Sequence, residues 1–426
     1  MTNNRFLRLP IPQQFLIIVA ICGILFVSLE CLSWLGLYTL WRASGKTVLP
    51  IEFVSEIQLF SSKNLFVTQT EYRPYYMYGL RPNTEISRLT PFGTDRHGLL
   101  INNQDQAGRD LSIPSDAHRI FVFGNSTILS TGSERSLAAY LETALNAEGG
   151  EKFEVVTAGA DGFNSGQELA RLALETLHFH PDMIITFDGV ADAFWSSFAD
   201  NPAPNAHINA QILKQTLEEN SLQNKSFVEV NKSSVDFFLR RFYSYHVLLA
   251  VLSKIGLDVT SSVGIAGRTT IGNALADAPT FRPQGAQTYI GNLTSMAAIS
   301  NLRGIRTLHF LQPTVATELL ERGGRATEAE WDLHETTDAQ AKFSRQQRAG
   351  IFQQFYTIAR SEFARLGQNP GNDLQTWVDL SRFFSDVDDL TEVYRDAVHY
   401  HDYRNREIAV EVAGHVRRAL ASGRAD

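Results

Sequence analysis

The stretch RIFVFGNST, residues 119–127, decides the fold of this chain. A run of strand-forming residues ends at Gly124 and is followed by Ser126 and then by a helix-like segment at 137–145. The pattern predicts a buried strand that presents the Ser126 hydroxyl at the carboxyl edge of a sheet. A helix beginning just beyond would direct its backbone N–H groups at charge on that oxygen. In the simpler interpretation, Ser126 only caps that helix.

The composition is that of an ordinary folded protein. Its 426 residues fit either one large α/β domain with insertions or two to three average domains. The net charge of −8 comes without a concentrated basic stripe, which argues against nucleic-acid binding. Both cysteines, Cys22 and Cys31, lie in an apolar N-terminal stretch, so the rest of the chain offers no thiolate for a metal or for catalysis. We therefore expect no metal and no cofactor, and the singly placed glycines form no phosphate-binding loop.

Residues 15–41 are the predicted transmembrane anchor. Apart from Glu30 the stretch is apolar, and it is long enough to cross a bilayer as one helix. It lacks the short apolar core and small-residue cleavage site of a signal peptide, so we expect it to be retained. Basic residues stand on both sides of it: Arg5, Arg8, Arg42 and Lys46. They bias the topology only slightly, toward a single-pass protein of a bacterial inner membrane with its main domain exported to the periplasm.

Glu30 is costly in lipid unless it has a partner or lies near an interface. One interpretation places Glu30 at a shallow depth, within reach of the headgroups. The other is a contact with another membrane protein through this carboxylate.

The anchor sets the predicted domain boundaries. Residues 1–14 form an N-terminal tail, 42–116 a juxtamembrane extension, and 117–426 the main domain. Within the extension, residues 72–82 are rich in tyrosine, arginine and proline. Such a stretch usually packs on a domain surface, and the alternative is stacking on sugars or other planar ligands.

Strand and helix patterns alternate through the main domain. Strand patterns at 153–157 and 183–187 run into loops rich in Gly, Asn, Ser and Asp, as 119–123 does, and another strand follows at 306–311. Helix patterns cover 137–145, 167–177, 289–303, 338–366 and 408–420. This alternation predicts an α/β fold, a three-layer α/β/α sandwich with a parallel sheet and a site at the carboxyl ends of its strands.

An insert at about 195–287 interrupts the alternation. Its residues 235–255 are amphipathic, and their Arg, Lys and His residues argue against a spanning helix. A helix packed over the domain is the simpler interpretation, and a membrane-contacting helix is the alternative.

Asp396 and His399 could activate Ser126. With two residues between them on a tight turn, the carboxylate can orient the imidazole and stabilise its protonated form. The other ring nitrogen would then face a serine delivered by a different strand. An Asp-x-x-His pattern is common by chance, and its value here lies in its position just before the last helix.

These residues together resemble the SGNH (GDSL-like) hydrolases, whose sequence blocks are spread over an α/β/α sandwich. Gly124-Asn125-Ser126 resembles the first block, in which the serine is the nucleophile and its N–H serves the oxyanion hole. Residues 158–165 resemble the second block, in which Gly162 matches the glycine that donates an N–H to the oxyanion. Residues 188–192 are similar to the third block, and Asp396-x-x-His399 to the fifth. The resemblance covers roughly residues 117–200 and 375–415.

The chain departs from the family pattern at two positions. Asn125 stands where the family often has aspartate, an isosteric change. Ala191 replaces the third-block asparagine, whose side chain donates to the oxyanion in the family. Losing one such donor typically costs on the order of 10²–10³ in rate. Asn164, two residues after Gly162, is a candidate replacement donor.

Two classes of function follow. The resemblance implies a membrane-anchored serine esterase, deacylase or acyltransferase that acts on acyl esters of envelope glycans or lipids. Ser126 would attack the acyl carbonyl, His399 relay the proton, and Asp396 orient the imidazole. The alternative is a catalytically degenerate SGNH-fold domain that serves as a binding or assembly subunit of a membrane complex. Ala191 and Glu30 favour the alternative, and retention of all three catalytic residues argues against it.

Overall fold

The computed structural model describes residues 10–43, 70–73, 75–84, 93–103, 106, 108–129, 135–147, 149–197, 244, 248, 280–322, 326–333, 345–368 and 373–422. The chain divides into two compact units. The first comprises Met1–Leu65 and Lys214–Thr269, and the second comprises Phe66–Leu213 and Thr270–Asp426. The predicted domain boundaries stay a prediction, although part of the 42–116 extension belongs to the second unit.

The first unit contains a long apolar helix, α1 (Ile11–Ala43). Its 33 residues extend to about 50 Å, more than the ~30 Å hydrocarbon core of a bilayer. Ile11–Gly36 is the one stretch among the described residues that is long and apolar enough to cross a membrane. The helix therefore has the length and composition predicted for an anchor at 15–41, and it begins within the predicted tail.

Glu30 has a partner within the chain. Its Oε1 accepts a hydrogen bond from the backbone N–H of Ser244 at 2.9 Å and a second one from the Ser244 hydroxyl. Ser33, one turn farther along α1, is buried. These bonds satisfy part of the carboxylate without a second protein. Apart from Ser244, Leu248 and its two ends, the predicted insert at about 195–287 lies outside the described residues, as does nearly all of 235–255.

Seven strands are described, and they form two sheets. They are β1 (Thr70–Arg73), β2 (Met77–Leu80), β3 (His118–Gly124), β4 (Phe153–Thr157), β5 (Met183–Asp188), β6 (Arg306–Leu311) and β7 (Gln375–Asp379). Strands β1 and β2 pair as an antiparallel hairpin. The other five form one parallel sheet in the order β4-β3-β5-β6-β7, with Ile120 opposite Met183 and Val122 opposite Thr157. The parallel sheet predicted from the sequence is confirmed.

The helices of the second unit connect and cover these strands. They are α2 (Ser126–Leu129), α3 (Leu137–Asn146), α4 (Ser165–Leu174), α5 (Val190–Ser196), α6 (Pro283–Asn301), α7 (Val315–Arg322), α8 (Glu328–Leu333), α9 (Arg345–Gly367) and α10 (Asp402–Ser422), with 3₁₀ turns at Thr176–Phe179 and Leu390–Glu392.

Two apolar cores lie on opposite faces of the sheet. Ile120 and Val122 of β3 join the core that contains residues of α3 and α10. Phe121 and Phe123 of the same strand join the core that contains residues of α4, α6 and α9. Because successive side chains of a strand point to opposite faces, a strand buried on both faces is a continuous apolar run. The predicted three-layer sandwich is confirmed.

Three helices begin earlier than their apolar periodicity predicted, among them α6, which starts at Pro283 rather than 289. Helix α4 starts at Ser165 rather than 167, because the Asn164 side chain accepts from the backbone N–H of Gln167 and caps it. Helix α10 starts at Asp402 rather than 408, since its first turn is polar and adds no apolar signal. The segment predicted as helix from 338 is described only from Arg345, where α9 begins.

The tyrosine-rich stretch of the extension packs against the sandwich through its β1–β2 hairpin. Tyr76 and Tyr78 are each 5 % exposed, and their rings meet Phe163 edge-on at 6.1 and 5.2 Å between centroids. Tyr75 is 73 % exposed. The hairpin therefore contributes two buried rings to the region just after β4.

Candidate active site

Ser126 lies at the point where the strand order of the sheet reverses. From β3 the chain crosses to β4 on one side and returns to β5 on the other, so a crevice forms beyond the carboxyl ends of β3 and β5. The backbones here approach closely: a Cβ on Gly159 would lie 2.0 Å from the carbonyl oxygen of Gly124. Only glycine fits at 159, and the close contact holds the two strand ends together at the serine.

Asn125 fixes the turn that carries the serine. This buried side chain accepts hydrogen bonds at Oδ1 from the backbone N–H and the hydroxyl of Thr127, at 3.1 and 3.0 Å. Its Nδ2 donates to Oε1 of Gln312 at 3.0 Å, beyond the end of β6. Since the oxygen faces two donors, the amide orientation is determined by the network.

Ser126, His399 and Asp396 lie in one continuous line of hydrogen bonds. The His399 Nε2 is 2.8 Å from Ser126 Oγ, and its Nδ1 is 2.8 and 2.9 Å from the two carboxylate oxygens of Asp396. A carboxylate can only accept, so Nδ1 carries a proton and Nε2 is free to accept one from the serine hydroxyl. Ser126 is partly exposed and therefore accessible to a substrate.

The serine follows the first strand of a parallel α/β/α sandwich, and the Asp-x-x-His pair comes just before its last helix. The fold is SGNH-hydrolase-like.

The loop that carries His399 is tied to the end of β6. Tyr400 donates from its hydroxyl to the carbonyl of Pro313 at 2.7 Å. Thr314 donates from its hydroxyl to the carbonyl of Ala397 at 3.3 Å. These buried contacts place the histidine opposite the serine, across a sequence separation of 273 residues. The sequence pattern gave no sign of them.

Asp396 keeps its negative charge through local hydrogen bonds. Burial acts to raise its pKa, but the hydrogen bond and charge of His399 outweigh this effect. Backbone N–H groups of Val398 and His399 add to the lowering, with Oδ1 at 3.0 and 2.9 Å. The net result is a pKa below the ordinary value of aspartate, as an orienting carboxylate requires.

The residues expected to form the oxyanion hole lie on the loop after β4 and at the start of α5. Gly162 has a positive φ of 71°, which favours glycine. Ala191 is buried in the first turn of α5 and has no side-chain donor. Asn164 uses its Oδ1 to accept from Gln167 N–H at 3.1 Å as the cap of α4. A donor role for Asn164 toward an oxyanion stays a prediction.

The same region contains buried carboxyl groups that the sequence analysis missed. Asp192 accepts from the N–H of Ser165 and, at 2.6 Å, from its hydroxyl. Asn292 of α6 donates to that hydroxyl at 2.9 Å. These bonds join α5 to the first residue of α4. The signal available in the sequence was the pair of Asp188, the last residue of β5, and Asp192, four residues later.

Burial raises the pKa of each of these carboxyl groups. The pKa of Asp188 rises to about 8 and that of Asp192 to about 6, with desolvation as the main cause. The pKa of Glu168 rises well above its ordinary value through desolvation and the adjacent charge of Asp188. Glu168 and Asp188 are both buried and each shifts the pKa of the other, which favours a proton on one of the two carboxyls. Among the described residues, no group of three or more His, Cys, Asp or Glu could hold a metal ion.

No protein-family model and no curated protein matches the chain. Several solved structures are similar to it at low identity. An acetyl xylan esterase is 14% identical over 70% of this chain and 99% of its own, with a TM-score of 0.37. A lipase/acylhydrolase from Enterococcus faecalis is 12% identical over 70% and 95%, with a TM-score of 0.33. A catalytic mutant of an acetylxylan esterase from Geobacillus stearothermophilus is 10% identical over 72% and 95%, with a TM-score of 0.36. Similarity this low assigns no activity to the chain.

Proposed function

We propose that this protein is a membrane-anchored serine hydrolase or acyltransferase of the SGNH type that cleaves acyl esters. The single observation that carries the proposal is the 2.8 Å contact between Ser126 Oγ and His399 Nε2, with Asp396 bound to the opposite ring nitrogen. Ser126 and an Asp–His pair, whose histidine is 273 residues away, meet in the order that nucleophilic catalysis requires.

The geometry supports a two-step acyl transfer. His399 Nε2 removes the hydroxyl proton as Ser126 Oγ attacks the acyl carbonyl carbon, and the protonated ring then gives that proton to the departing alcohol. The result is an acyl-serine. In the second step Nε2 takes a proton from water or from a sugar hydroxyl as that oxygen attacks the acyl carbon. The ring then gives this proton to Ser126 Oγ as the bond between the acyl carbon and Oγ breaks. Asp396 orients and stabilises the imidazolium in both steps.

Negative charge on the carbonyl oxygen would be stabilised by backbone donors. We assign this role to the N–H groups of Ser126, at the start of α2, and of Gly162. Ala191 removes the side-chain donor expected from the family pattern, so we expect slower turnover than with three donors, by on the order of 10²–10³. The natural substrate would then be an activated or tightly held ester.

The apolar helix α1 supports a membrane location for this chemistry. We propose that α1 anchors the protein in a bacterial inner membrane and that the second unit lies in the periplasm. Acyl esters of envelope glycans or lipids are the substrates such a domain would meet. A second membrane protein that binds Glu30 would share its carboxylate with Ser244. Such a partner stays a prediction, and co-purification with the Glu30→Leu variant tests it.

A direct experiment is labelling of the detergent-solubilised full chain with a fluorophosphonate probe, beside turnover of p-nitrophenyl acetate. We expect labelling and turnover by the wild-type protein and neither by Ser126→Ala. If a folded wild-type sample gave no serine-dependent signal, the enzyme proposal would be wrong.

Ala191 favours a second candidate function, a non-catalytic SGNH-fold subunit that binds or assembles envelope components. The two candidates differ in their response to Ala191→Asn. An unlabelled wild-type protein that becomes reactive after this change would be a retired enzyme, and its function would lie in binding.

A further inference from the structure

The hairpin strand β2 places Tyr78 against the peptide group that carries the Gly162 N–H. We propose that Tyr78 is a positioning residue that orients and polarises this N–H toward the oxyanion. The proposal rests on the ester chemistry proposed above, and it adds a residue from the extension, outside all the sequence blocks of the family pattern.

The decisive contact is a hydrogen bond to a carbonyl. The Tyr78 hydroxyl donates to the carbonyl oxygen of Asp161 at 2.7 Å. That carbonyl belongs to the same peptide group as the N–H of Gly162. A donor on the oxygen of an amide draws electron density from its nitrogen, so the N–H becomes a stronger donor in turn. Burial raises the pKa of the Tyr78 phenol well above its ordinary value, which keeps the proton in place.

A second bond holds the other side of Gly162. Trp195 of α5 donates from its indole Nε1 to the carbonyl oxygen of Gly162 at 2.9 Å. The carbonyls before and after the Gly162 Cα are therefore both bound to aromatic side chains. Together they fix the positive-φ backbone that determines where the N–H points.

The hairpin is held firmly enough to position a donor. The Tyr78 ring packs edge-on against Phe163 with 5.2 Å between centroids, and Gln167 of α4 donates from Nε2 to the carbonyl of Tyr76 at 3.0 Å. The Tyr76 hydroxyl donates to Glu175 at 2.5 Å instead of to the Gly162 peptide. Tyr76 is thus a matched control for Tyr78, with equal burial and a similar hydroxyl bond.

The absence of a donor side chain at Ala191 explains why this bond would matter. With one oxyanion donor missing, a larger share of the charge stabilisation falls on the Gly162 N–H. A bond that strengthens and aims that N–H acts in the transition state and leaves ground-state binding unchanged.

The test compares Tyr78→Phe with Tyr76→Phe in the full chain in detergent, with p-nitrophenyl acetate as the substrate. We expect Tyr78→Phe to lower kcat about fivefold to tenfold, the size of one neutral hydrogen bond, with KM unchanged. Tyr76→Phe should stay within about twofold of the wild type, since its hydroxyl does not touch the Gly162 peptide. Replacement of Tyr78 by 3,5-difluorotyrosine, a stronger donor, should raise kcat.

A double-mutant cycle with Ala191→Asn tests the compensation. Once a side-chain donor is restored, Tyr78→Phe should cost only about twofold. Equal kcat values for the Tyr78 and Tyr76 variants, in an enzyme whose turnover still depends on Ser126, would overturn the role of Tyr78 and leave the proposed function standing. Wild-type protein without Ser126-dependent turnover would overturn both.

Discussion

The two halves of the candidate site match the SGNH sequence pattern to different degrees. On the nucleophile side, hydrogen bonds run without a break from Asp396 through His399 to Ser126. On the oxyanion side, the family asparagine is replaced by Ala191, and the remaining backbone is held by Tyr78 and other buried partners. Under the proposed function, the groups needed for attack are complete, while stabilisation of the charge would rest on backbone donors.

The largest expected effects lie on the nucleophile side. His399→Ala removes the base and should lower kcat/KM by about 10³-fold or more, and Asp396→Asn by about 10²–10⁴-fold. The measurement is ester turnover by the purified full chain. His401→Ala is the matched control, because His401 contacts the carbonyl of Thr391 and should leave activity within about twofold. Equal losses for His399 and His401 variants would show that the hydrogen-bonded line is not catalytic.

The oxyanion side should respond in the opposite direction. Ala191→Asn restores a side-chain donor, so we expect kcat to rise by about 10- to 100-fold with little change in KM. The same assay includes Ala191→Asp, which has the shape of asparagine and offers only a carboxylate. Activity of that variant should fall below wild type because a negative charge repels the oxyanion. A gain in both variants would mean that side-chain size, not a donor, is what position 191 lacks.

The two halves should also differ in their response to pH. The lowered pKa of Asp396 keeps that carboxylate ionised in mild acid. Asp188, in contrast, has a folded pKa of about 8, above its unfolded value of roughly 4. Between these values the folded state binds more protons than the unfolded state, so the free energy of unfolding falls as the pH rises from 4 to 8.

Glu168→Gln tests this pH dependence. The amide still donates toward Asp188, but the change removes the Glu168 carboxyl, whose own raised pKa adds to the loss of stability with rising pH, so the dependence should flatten. Between pH 6 and 9 we expect the wild-type Tm to decrease by about 5 °C and the variant by less than half of that. Thermal unfolding of the full chain in detergent measures both. Glu362→Gln, at a surface ion pair with Arg365, should follow the wild type. Parallel curves for all three proteins would contradict a shared proton at Glu168 and Asp188.

Local sequence patterns were sufficient for four of the five strands in the parallel sheet, and β7, whose residues are half-buried or exposed, was not predicted. The apolar runs at 153–157 and 306–311 coincide with β4 and β6 at both ends. A strand buried on both faces is apolar at most positions, so the run itself marks where the strand begins and ends. Helix starts were less accurate, since caps such as Asn164 and polar first turns carry no apolar periodicity. The strand-end serine and the Asp-x-x-His pair were visible because their chemistry requires particular residues at short spacing.

The supporting contacts could not be predicted from the sequence. Tyr78 reaches Asp161 across 83 residues, and Asn125 reaches Gln312 across 187. A tyrosine in an aromatic stretch has the same local pattern whether it packs, binds sugar or supports a loop. Only the folded arrangement shows which carbonyl its hydroxyl meets.

Asn125 offers the smallest expected effect and the finest test of the nucleophile side. Its Oδ1 accepts from Thr127, and a carboxylate oxygen would accept those bonds equally well. The Nδ2 bond to Gln312 would be lost, but the Gln312 amide carries a donor as well as an acceptor and can turn to face the new charge. We therefore expect Asn125→Asp to keep kcat/KM within about threefold of wild type.

Asn125→Leu, which removes the acceptor that holds the turn, should lose about tenfold or more in kcat/KM, since the N–H of Thr127 then stays unpaired. If Asn125→Asp lost as much activity as Asn125→Leu, the turn that carries Ser126 would depend on the hydrogen bond between Asn125 and Gln312. Asn125 would then not be equivalent in function to the aspartate of the Gly-Asp-Ser block.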